Sequence, residues 1–425
     1  MKIKPENLKK ILQNFRQKGF FNLLSANMLI QVVAFAAQLF VAGILFPDDI
    51  GRIKIIQTYL SIFSIVAGMG FSASTLKLCS ENRSKEEQTS LFRSAFFFTL
   101  ISTICLYIII LILNIFSIFT SDKLIQWLIP LGLFPIISNS LFMVFVSYFQ
   151  ATKKIKLIAN LTISNKLIAI SAIIILSYFW GIKGYYLAYN LSFILMLIVC
   201  FQLFRSTITK DFYQPLNKSL FSVHWNYAKP SMLANLLSES SVYMDILLLS
   251  FFIHDMNEIG YYSFAITLTV LLRILPSTVQ QISIPYLSTL SSKKNDFIIV
   301  FKRYNKMLYV VVGVTLIIAL ISIPYLIHWV FGGKYDQSMP YFTLLAVGWS
   351  IRQLTQLQSA AIFSLGKINF SVYISLISLA FNIVLYSIAL NFFGLLGAAY
   401  ASILSGTVIL LSSRYFYLKA QREML

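Results

Sequence analysis

The sequence has few of the residues that metal sites and soluble enzymes depend on. It contains three histidines and three cysteines in 425 residues. These are scattered, so their spacing indicates no metal site, no disulfide framework and no histidine-based catalysis. A phosphate-binding loop is missing too, because Gly332-Gly333-Lys334 lacks the rest of that motif. We therefore predict no cofactor and no ATP hydrolysis by that route, so transport would depend on an ion gradient or on consumption of the product.

Acidic residues are also scarce. The 15 Asp and Glu face 34 Lys and Arg, which gives a net charge of +19. A basic chain of this kind can bind nucleic acid, but here the charge is divided among short loops and no recognition module is present. Only 12% of the residues are charged and 58% are hydrophobic, which leaves no room for a soluble domain. The composition excludes a nucleic-acid partner and indicates a membrane protein.

Apolar stretches fill the chain almost from end to end. Each is long enough to cross a bilayer as a helix, which takes roughly 20 residues. We predict an all-α polytopic membrane protein with about twelve transmembrane helices. The predicted spans are 20–46, 55–76, 94–119, 124–150, 157–180, 185–204, 229–253, 259–290, 305–330, 339–364, 370–393 and 396–413.

Most Lys and Arg lie in the two tails and in every second gap between the spans. By the positive-inside rule, this bias predicts that both termini are cytoplasmic. The tail before the first span carries Leu8, Ile11, Leu12 and Phe15 on one helical face, among basic residues. It is either an interfacial helix on the inner leaflet or an ordinary basic flank.

An internal repeat is indicated by two pairs of short matches. Residues 49–51 (Asp-Ile-Gly) match 258–260 (Glu-Ile-Gly), and the Gly-x-x-Gly string at 181–184 matches the one at 394–397. Short strings recur by chance among apolar helices, but the shared order and topological position favour a true repeat. We therefore expect two parallel six-helix lobes, a plan in which transporters bind substrate between the lobes by alternating access.

The expected domain organisation follows from these lobes. It comprises a basic cytoplasmic tail, an N-terminal lobe, a cytoplasmic linker, a C-terminal lobe and a second cytoplasmic tail, at residues 1–19, 20–204, 205–228, 229–413 and 414–425.

Five ionisable residues fall within predicted spans: Lys166, Glu239, Asp245, Arg273 and Arg352. Each costs on the order of 2.5–3.5 kcal/mol at the bilayer centre, so each is expected to be paired or functional. The surplus of positive charge favours an anionic substrate bound by the three cations in a cationic central cavity. The two acids would carry a proton or cation. The alternative is that acids and cations pair with one another to hold the C-terminal lobe together.

Polar residues at helical spacing accompany these charges and complete the predicted cavity. The remaining substrate-binding candidates are Asn27, Gln31, Gln38, Asn235, Gln280 and Gln356.

Two other classes of membrane protein fit the loops of this chain less well. A membrane glycosyltransferase or polymerase acting on a lipid-linked sugar could use Asp48 and Asp49 in the first outer loop. However, such enzymes need a sizeable outer loop, and acidic residues before a helix are ordinary at helix N-termini. A sugar/proton symporter of the other six-plus-six fold is expected to carry a Gly-x-x-x-Asp-Arg-type loop, which is missing from 77–93.

Several motifs carry a family resemblance. They are Phe46-Pro47-Asp48-Asp49-Ile50-Gly51, Gly68-Met69-Gly70-Phe71-Ser72, Glu258-Ile259-Gly260-Tyr261-Tyr262-Ser263, Pro285-Tyr286-Leu287-Ser288 and Gly394-Leu395-Leu396-Gly397-Ala398-Ala399. In this order they resemble the polysaccharide-export or O-antigen flippases of the Wzx type. These belong to the multidrug/oligosaccharidyl-lipid/polysaccharide exporter superfamily.

The resemblance implies the V-shaped fold of multidrug extruders and of the lipid II flippase. It implies a substrate as well: an O-antigen or capsule repeat unit on undecaprenyl pyrophosphate, flipped across a bacterial inner membrane during lipopolysaccharide or capsule synthesis. The implied partners are this lipid-linked glycan, membrane lipids, a polysaccharide polymerase and a chain-length regulator. A drug/cation antiporter of the same fold is the main rival, and it predicts an acidic cavity instead of a basic one.

Overall fold

The computed structural model describes residues 20–81, 84–205 and 219–424, and within these ranges the chain is helical without strands. The predicted interfacial helix at 1–19 lies outside the described residues, as does most of the predicted linker. The α-helices are α1 (Phe20–Ile44), α2 (Pro47–Gly68), α3 (Phe71–Cys79), α4 (Lys85–Ile115), α5 (Lys123–Leu133), α6 (Pro135–Ala151), α7 (Ile155–Arg205), α8 (Ser219–Phe252), α9 (Met256–Thr289), α10 (Lys294–Phe331), α11 (Met339–Gln353), α12 (Gln356–Ser364) and α13 (Ile368–Arg422). A 3₁₀ turn, Asp336–Ser338, precedes α11.

The helices cover the predicted spans, and the predicted all-α polytopic fold is confirmed. In the described part of the chain, eight helical segments are long and apolar enough to cross a membrane. Two of them, in α7 and α13, are each interrupted by a glycine with non-helical backbone angles. The number of twelve spans stays a prediction: counting each interrupted helix twice gives ten, and the other two predicted spans correspond to α1 and to α11 with α12, which are not among the eight.

The helix that forms the second predicted span begins earlier than its hydropathy predicts. The helix begins at Pro47, which occupies the first turn, where a missing N–H costs nothing. Asp48 and Asp49 follow in the same turn, where carboxylates favour the positive end of the helix dipole. Arg52 and Lys54, which the hydropathy pattern assigned to an outer loop, therefore lie in α2.

The two Gly-x-x-Gly motifs have the same local backbone. Gly181 has φ 58° and ψ −139°, and Gly394 has φ 58° and ψ −145°, a region open almost only to glycine. A Cβ at Gly184 would collide with a carbonyl oxygen of the preceding helix, and so would one at Gly397. The two matched motifs thus make equivalent turns, which supports the predicted repeat.

Contacts divide the chain into two compact units. One contains Phe40–Gly260, and the other contains the residues up to Leu39 together with Tyr261–Leu425; we call them the 40–260 unit and the 261–425 unit. Helix α8, predicted to open the C-terminal lobe, packs within the 40–260 unit against α2 and α3. The lobe boundaries inferred from the repeat stay a prediction.

Aromatic residues fill the core of the 40–260 unit. Phe92 of α4 lies 4.4 Å from Phe204 of α7 and 4.8 Å from Tyr148 of α6, measured between ring centroids. All three side chains are buried. Tilted and edge-on ring pairs of this kind add about 0.5–1.5 kcal/mol each beyond area burial. This cluster joins α4, α6 and α7.

The core of the 261–425 unit is also aromatic. Phe301 of α10 stacks on Tyr417 of α13 at 4.1 Å, and Phe264 of α9 stacks on Tyr335 at 4.0 Å. Tyr335 is fully buried just before the 3₁₀ turn. One stack connects α10 to α13, and the other connects α9 to the residue that precedes the 3₁₀ turn.

Candidate functional site

A cavity of about 380 Å³, lined by both polar and apolar side chains, lies between helices of the 40–260 unit. Helices α2, α3, α6, α7 and α8 form its wall. We call it the serine cavity after its residues: Leu60, Ser61, Ser64, Ile65, Gly68, Gly70, Ser72, Asn139, Ser140, Met143, Val144, Tyr189, Met232, Asn235 and Glu239.

Helical spacing explains why these side chains share the cavity. Ser61, Ser64 and Gly68 recur at intervals of three and four residues, which places them on one face of α2. On α8, Asn235 and Glu239 repeat the same spacing and face the same space. The charge of Glu239 indicated this α8 face from the sequence alone. The α2 face was not predicted, although the spacing of its serines was an equivalent signal.

The serine cavity offers hydroxyl and amide groups and a single charge. Glu239 is its carboxylate, and neither Lys nor Arg is among its lining residues. The Ser64 hydroxyl oxygen is buried and has no hydrogen-bond partner among the described residues. Ser140 reaches only the Ser64 carbonyl oxygen, at 3.5 Å. The Ser64 hydroxyl oxygen is too deeply buried to meet a ligand, so the polar groups that a ligand could meet are the other hydroxyls and the amides of the lining.

Hydrogen bonds fasten α8 to its neighbours on both sides of the serine cavity. Towards the predicted cytoplasmic end, fully buried His224 lies 2.8 Å from the Ser74 hydroxyl and 3.1 Å from the Leu91 carbonyl oxygen. Towards the predicted outer end, the Tyr59 hydroxyl lies 3.4 Å from that of Ser250. These contacts hold α8 along the length of α2 and α3.

The Asp-Ile-Gly and Glu-Ile-Gly motifs, matched in the sequence, touch each other in the structure. A Cβ on Gly51 would lie 2.7 Å from the Met256 carbonyl oxygen, and one on Gly260 would collide with the Pro47 carbonyl oxygen. Each glycine therefore lies against the residue one turn before the other. This reciprocal crossing brings the first turns of α2 and α9 together at their predicted outer ends.

Asp48 and Asp49 are engaged by a cation. The Arg52 guanidinium contacts them at 2.6 Å and 3.3 Å, and it also contacts Asp122 of the α5 N-terminus at 3.3 Å. The helix N-cap is Phe46, so the two acids lie in the first turn and do not cap it through their side chains. Carboxylates held in this way on one guanidinium fit a structural role better than the glycosyltransferase alternative.

Asp245 is buried in α8, with 7% of its surface exposed, and its carboxylate accepts a hydrogen bond from the Ile246 amide at 2.8 Å. It attracts the ammonium group of half-buried Lys54 on α2. The predicted pairing of this acid with an arginine stays untested. The attraction between Asp245 and Lys54 depends on α2 beginning at Pro47, and the hydropathy reading did not contain it.

The predicted cations occupy different settings. Lys166 is exposed on α7 of the 40–260 unit and is not among the lining residues of the serine cavity. Arg273 is exposed on α9, and Arg352 is half-buried on α11 with its guanidinium 5.3 Å from the ring centroid of Trp349. Both arginines belong to the 261–425 unit. Their predicted role in binding the substrate stays a prediction.

The predicted polar residues of the 261–425 unit are accessible to different degrees. Gln31 and Gln280 are half-buried, and Gln38 is exposed. Gln356 donates a hydrogen bond to the Gln353 side chain at 3.0 Å. The side chain of Asn27 lies outside the described residues. Of the predicted site residues, Asn235 and Glu239 line the serine cavity.

Comparisons with known proteins agree with this architecture. A family model described as "Polysaccharide biosynthesis protein" matches residues 17–291. The search of curated proteins gives no match. The lipid II flippase MurJ, in an inward closed conformation, has a TM-score of 0.78 at 17% identity over 95% of this chain and 90% of that one.

Two multidrug transporters of the MATE family are also similar. An inward-facing member of the MOP superfamily has a TM-score of 0.70 at 14% identity over 94% of this chain and 96% of that one. A Vibrio cholerae MATE transporter has a TM-score of 0.66 at 14% identity over 95% and 97%. At identities this low, the structural similarity establishes a shared fold and no more. It is the fold that the sequence motifs predicted.

Proposed function

We propose, from the premise that this chain belongs to the polysaccharide biosynthesis protein family, that it is a flippase for lipid-linked glycans. It moves oligosaccharide repeat units on undecaprenyl pyrophosphate, of the O-antigen or capsule type, across the bacterial inner membrane. The family match carries this proposal, because it spans residues 17–291 and so includes every residue of the serine cavity. The fold shared with a lipid II flippase supports it.

Alternating access is the proposed mechanism, as expected for a transporter built from parallel repeats. The head group enters from the cytoplasmic side while the polyprenyl tail stays in lipid. Lys166, Arg273 and Arg352 attract the pyrophosphate, and Glu239 or Asp245 carries a proton or cation that resets the cycle. The cost of keeping charges at membrane depth supports a functional role for this set.

The proposed setting is the inner membrane, with both termini in the cytoplasm. The asymmetry of Lys and Arg between alternate loops supports this orientation. Membrane lipids, a polysaccharide polymerase and a chain-length regulator are the proposed partners. The polymerase would consume the flipped product and so favour transport in one direction. The chain itself is proposed to transport and to catalyse no reaction.

A drug/cation antiporter is the second candidate, and one observation favours it. The serine cavity contains a carboxylate and no lysine or arginine among its lining residues, which is the charge expected of a pocket for cations. The MATE transporters share the fold. Under this candidate, Glu239 would exchange a proton for a cationic drug.

Gene deletion separates the two candidates. A flippase predicts that the deletion strain loses surface polysaccharide and accumulates undecaprenyl-linked units on the cytoplasmic side. An antiporter predicts normal polysaccharide with increased sensitivity to cationic drugs and slower dye efflux. Complementation then tests the cations: Arg273→Ala and Arg352→Ala should restore less polysaccharide than the parent at equal protein levels, and Arg303→Ala, at an exposed arginine of α10, should restore it fully. Full restoration by both Arg273→Ala and Arg352→Ala would refute the role of these arginines.

A further inference from the structure

The lining of the serine cavity matches the surface of a sugar. Three serines besides Ser64, two asparagines and Tyr189 line it with hydroxyl and amide groups. Serine hydroxyls and amides both donate and accept hydrogen bonds, as sugar hydroxyls do.

The charge of the serine cavity rejects a phosphate. Glu239 is its one charged lining residue. A pyrophosphate placed beside a carboxylate would be repelled, since two like charges disfavour each other. A carboxylate also accepts hydrogen bonds from neighbouring hydroxyls, and these charge-assisted bonds are stronger than neutral ones. The cavity is therefore suited to the uncharged part of a lipid-linked glycan.

The size and the apolar walls of the serine cavity agree with this ligand. Its volume of about 380 Å³ lies at the lower end of the range for small-molecule pockets, so it holds a small part of an oligosaccharide. Met143, Met232 and the ring of Tyr189 form apolar surfaces beside the polar groups. The C–H faces of a sugar ring pack on such surfaces while its hydroxyls meet the serines.

We propose that the serine cavity binds an uncharged sugar residue of the glycan and that the pyrophosphate binds outside it. This inference rests on the proposed flippase function. The Glu239 carboxylate accepts hydrogen bonds from sugar hydroxyls, and Ser61, on the cavity face of α2, orients the ring. The cavity then recognises the glycan, and cations on other helices bind the pyrophosphate of the lipid.

Binding to the full-length protein in lipid nanodiscs tests this division. The probes are neutral disaccharides (lactose, cellobiose and N,N′-diacetylchitobiose) and geranyl pyrophosphate. We expect at least one disaccharide to bind, and Glu239→Gln to weaken that binding by about tenfold, since a charge-assisted hydrogen bond is replaced by a neutral one. Ser61→Ala should weaken it by a smaller factor. Geranyl pyrophosphate should bind equally to the parent and to both variants.

Matched substitutions at exposed positions serve as controls. Glu86→Gln at the start of α4 and Ser292→Ala in the turn before α10 change the same side chains outside the cavity, and they should leave every affinity unchanged. If no disaccharide binds, or if Glu239→Gln strengthens geranyl pyrophosphate binding, the proposal is wrong, because the latter result would place the anion beside Glu239.

Complementation of the deletion strain separates failure of this inference from failure of the flippase function. If deletion abolishes surface polysaccharide but the Glu239→Gln and Ser61→Ala variants restore it fully, the flippase function stands and the sugar site is refuted. If deletion changes neither polysaccharide nor lipid-linked intermediates, the function itself is refuted. Partial restoration by both variants at normal protein levels is the expected result.

Discussion

Replacing Gly51 by alanine places a methyl group where α2 and α9 leave no room for one. The added Cβ would lie 2.7 Å from the Met256 carbonyl oxygen and 2.9 Å from the Gly260 amide nitrogen. Both are backbone atoms, so relief requires the outer ends of the two helices to move apart. Overpacking of this kind costs about 1–3 kcal/mol. An energy of that size disfavours the packed conformation by roughly 5- to 150-fold.

Under the proposed alternating access, these predicted outer ends separate during transport, so Gly51→Ala should favour the state that is open to the outside. Ser61 lines the serine cavity, and a cysteine there reports access to it. In a Cys105→Ser background, which removes the exposed native thiol, a membrane-impermeant maleimide should label Ser61→Cys faster when Gly51→Ala is present. The assay uses right-side-out membrane vesicles, with thermal unfolding measured in parallel.

Gly313→Ala is the matched control, because a Cβ at this helical glycine meets open space. It should leave the labelling rate unchanged and should not lower the thermal midpoint, because alanine inside a helix is favoured over glycine. If Gly51→Ala lowers the midpoint without faster labelling, the crossing is a fixed part of the fold and does not open in transport. If both quantities keep their parental values, the reasoning from close helix approach is wrong.

Two further perturbations test the repeat and the packing of α8. Gly181→Ala and Gly394→Ala impose the same backbone strain, about 1–3 kcal/mol, and should lower the thermal midpoint by similar amounts. Gly184→Ala and Gly397→Ala should likewise agree, and opposite effects within either pair would contradict the shared geometry. His224→Ala removes two buried hydrogen bonds, to the Ser74 hydroxyl and to the Leu91 carbonyl oxygen. It should destabilise the protein by about 1–3 kcal/mol in thermal unfolding. A parental midpoint would show that these bonds do not hold α8.

The helices could be predicted because the bilayer fixes both their length and their apolar character. The start of α2 was placed too late for an equally physical reason: Arg52 and Lys54 lower the local hydropathy. Pro47 followed by Asp48 and Asp49 was a readable helix start, with proline and acids in the first turn. Local capping signals therefore locate this helix end better than hydropathy does.

The candidate site was predicted only in part. Asn235 and Glu239 were predicted because a charge at membrane depth indicates that its helical face is turned to the bundle interior or to water. The serines of α2 were missed because serine is common in membrane helices and carries no charge. The attraction between Lys54 and Asp245 could not be predicted, since it depends on two helices far apart in sequence packing side by side.

The central claim is that this chain moves a lipid-linked glycan between leaflets, and reconstitution tests it directly. The purified protein is incorporated into vesicles that contain the lipid-linked glycan extracted from the deletion strain. A membrane-impermeant oxidant, periodate, then measures how much glycan reaches the outer leaflet with time. The account predicts that the inner-leaflet pool becomes accessible in vesicles with the protein and stays protected in vesicles without it. Continued protection in the presence of correctly folded protein would contradict the account.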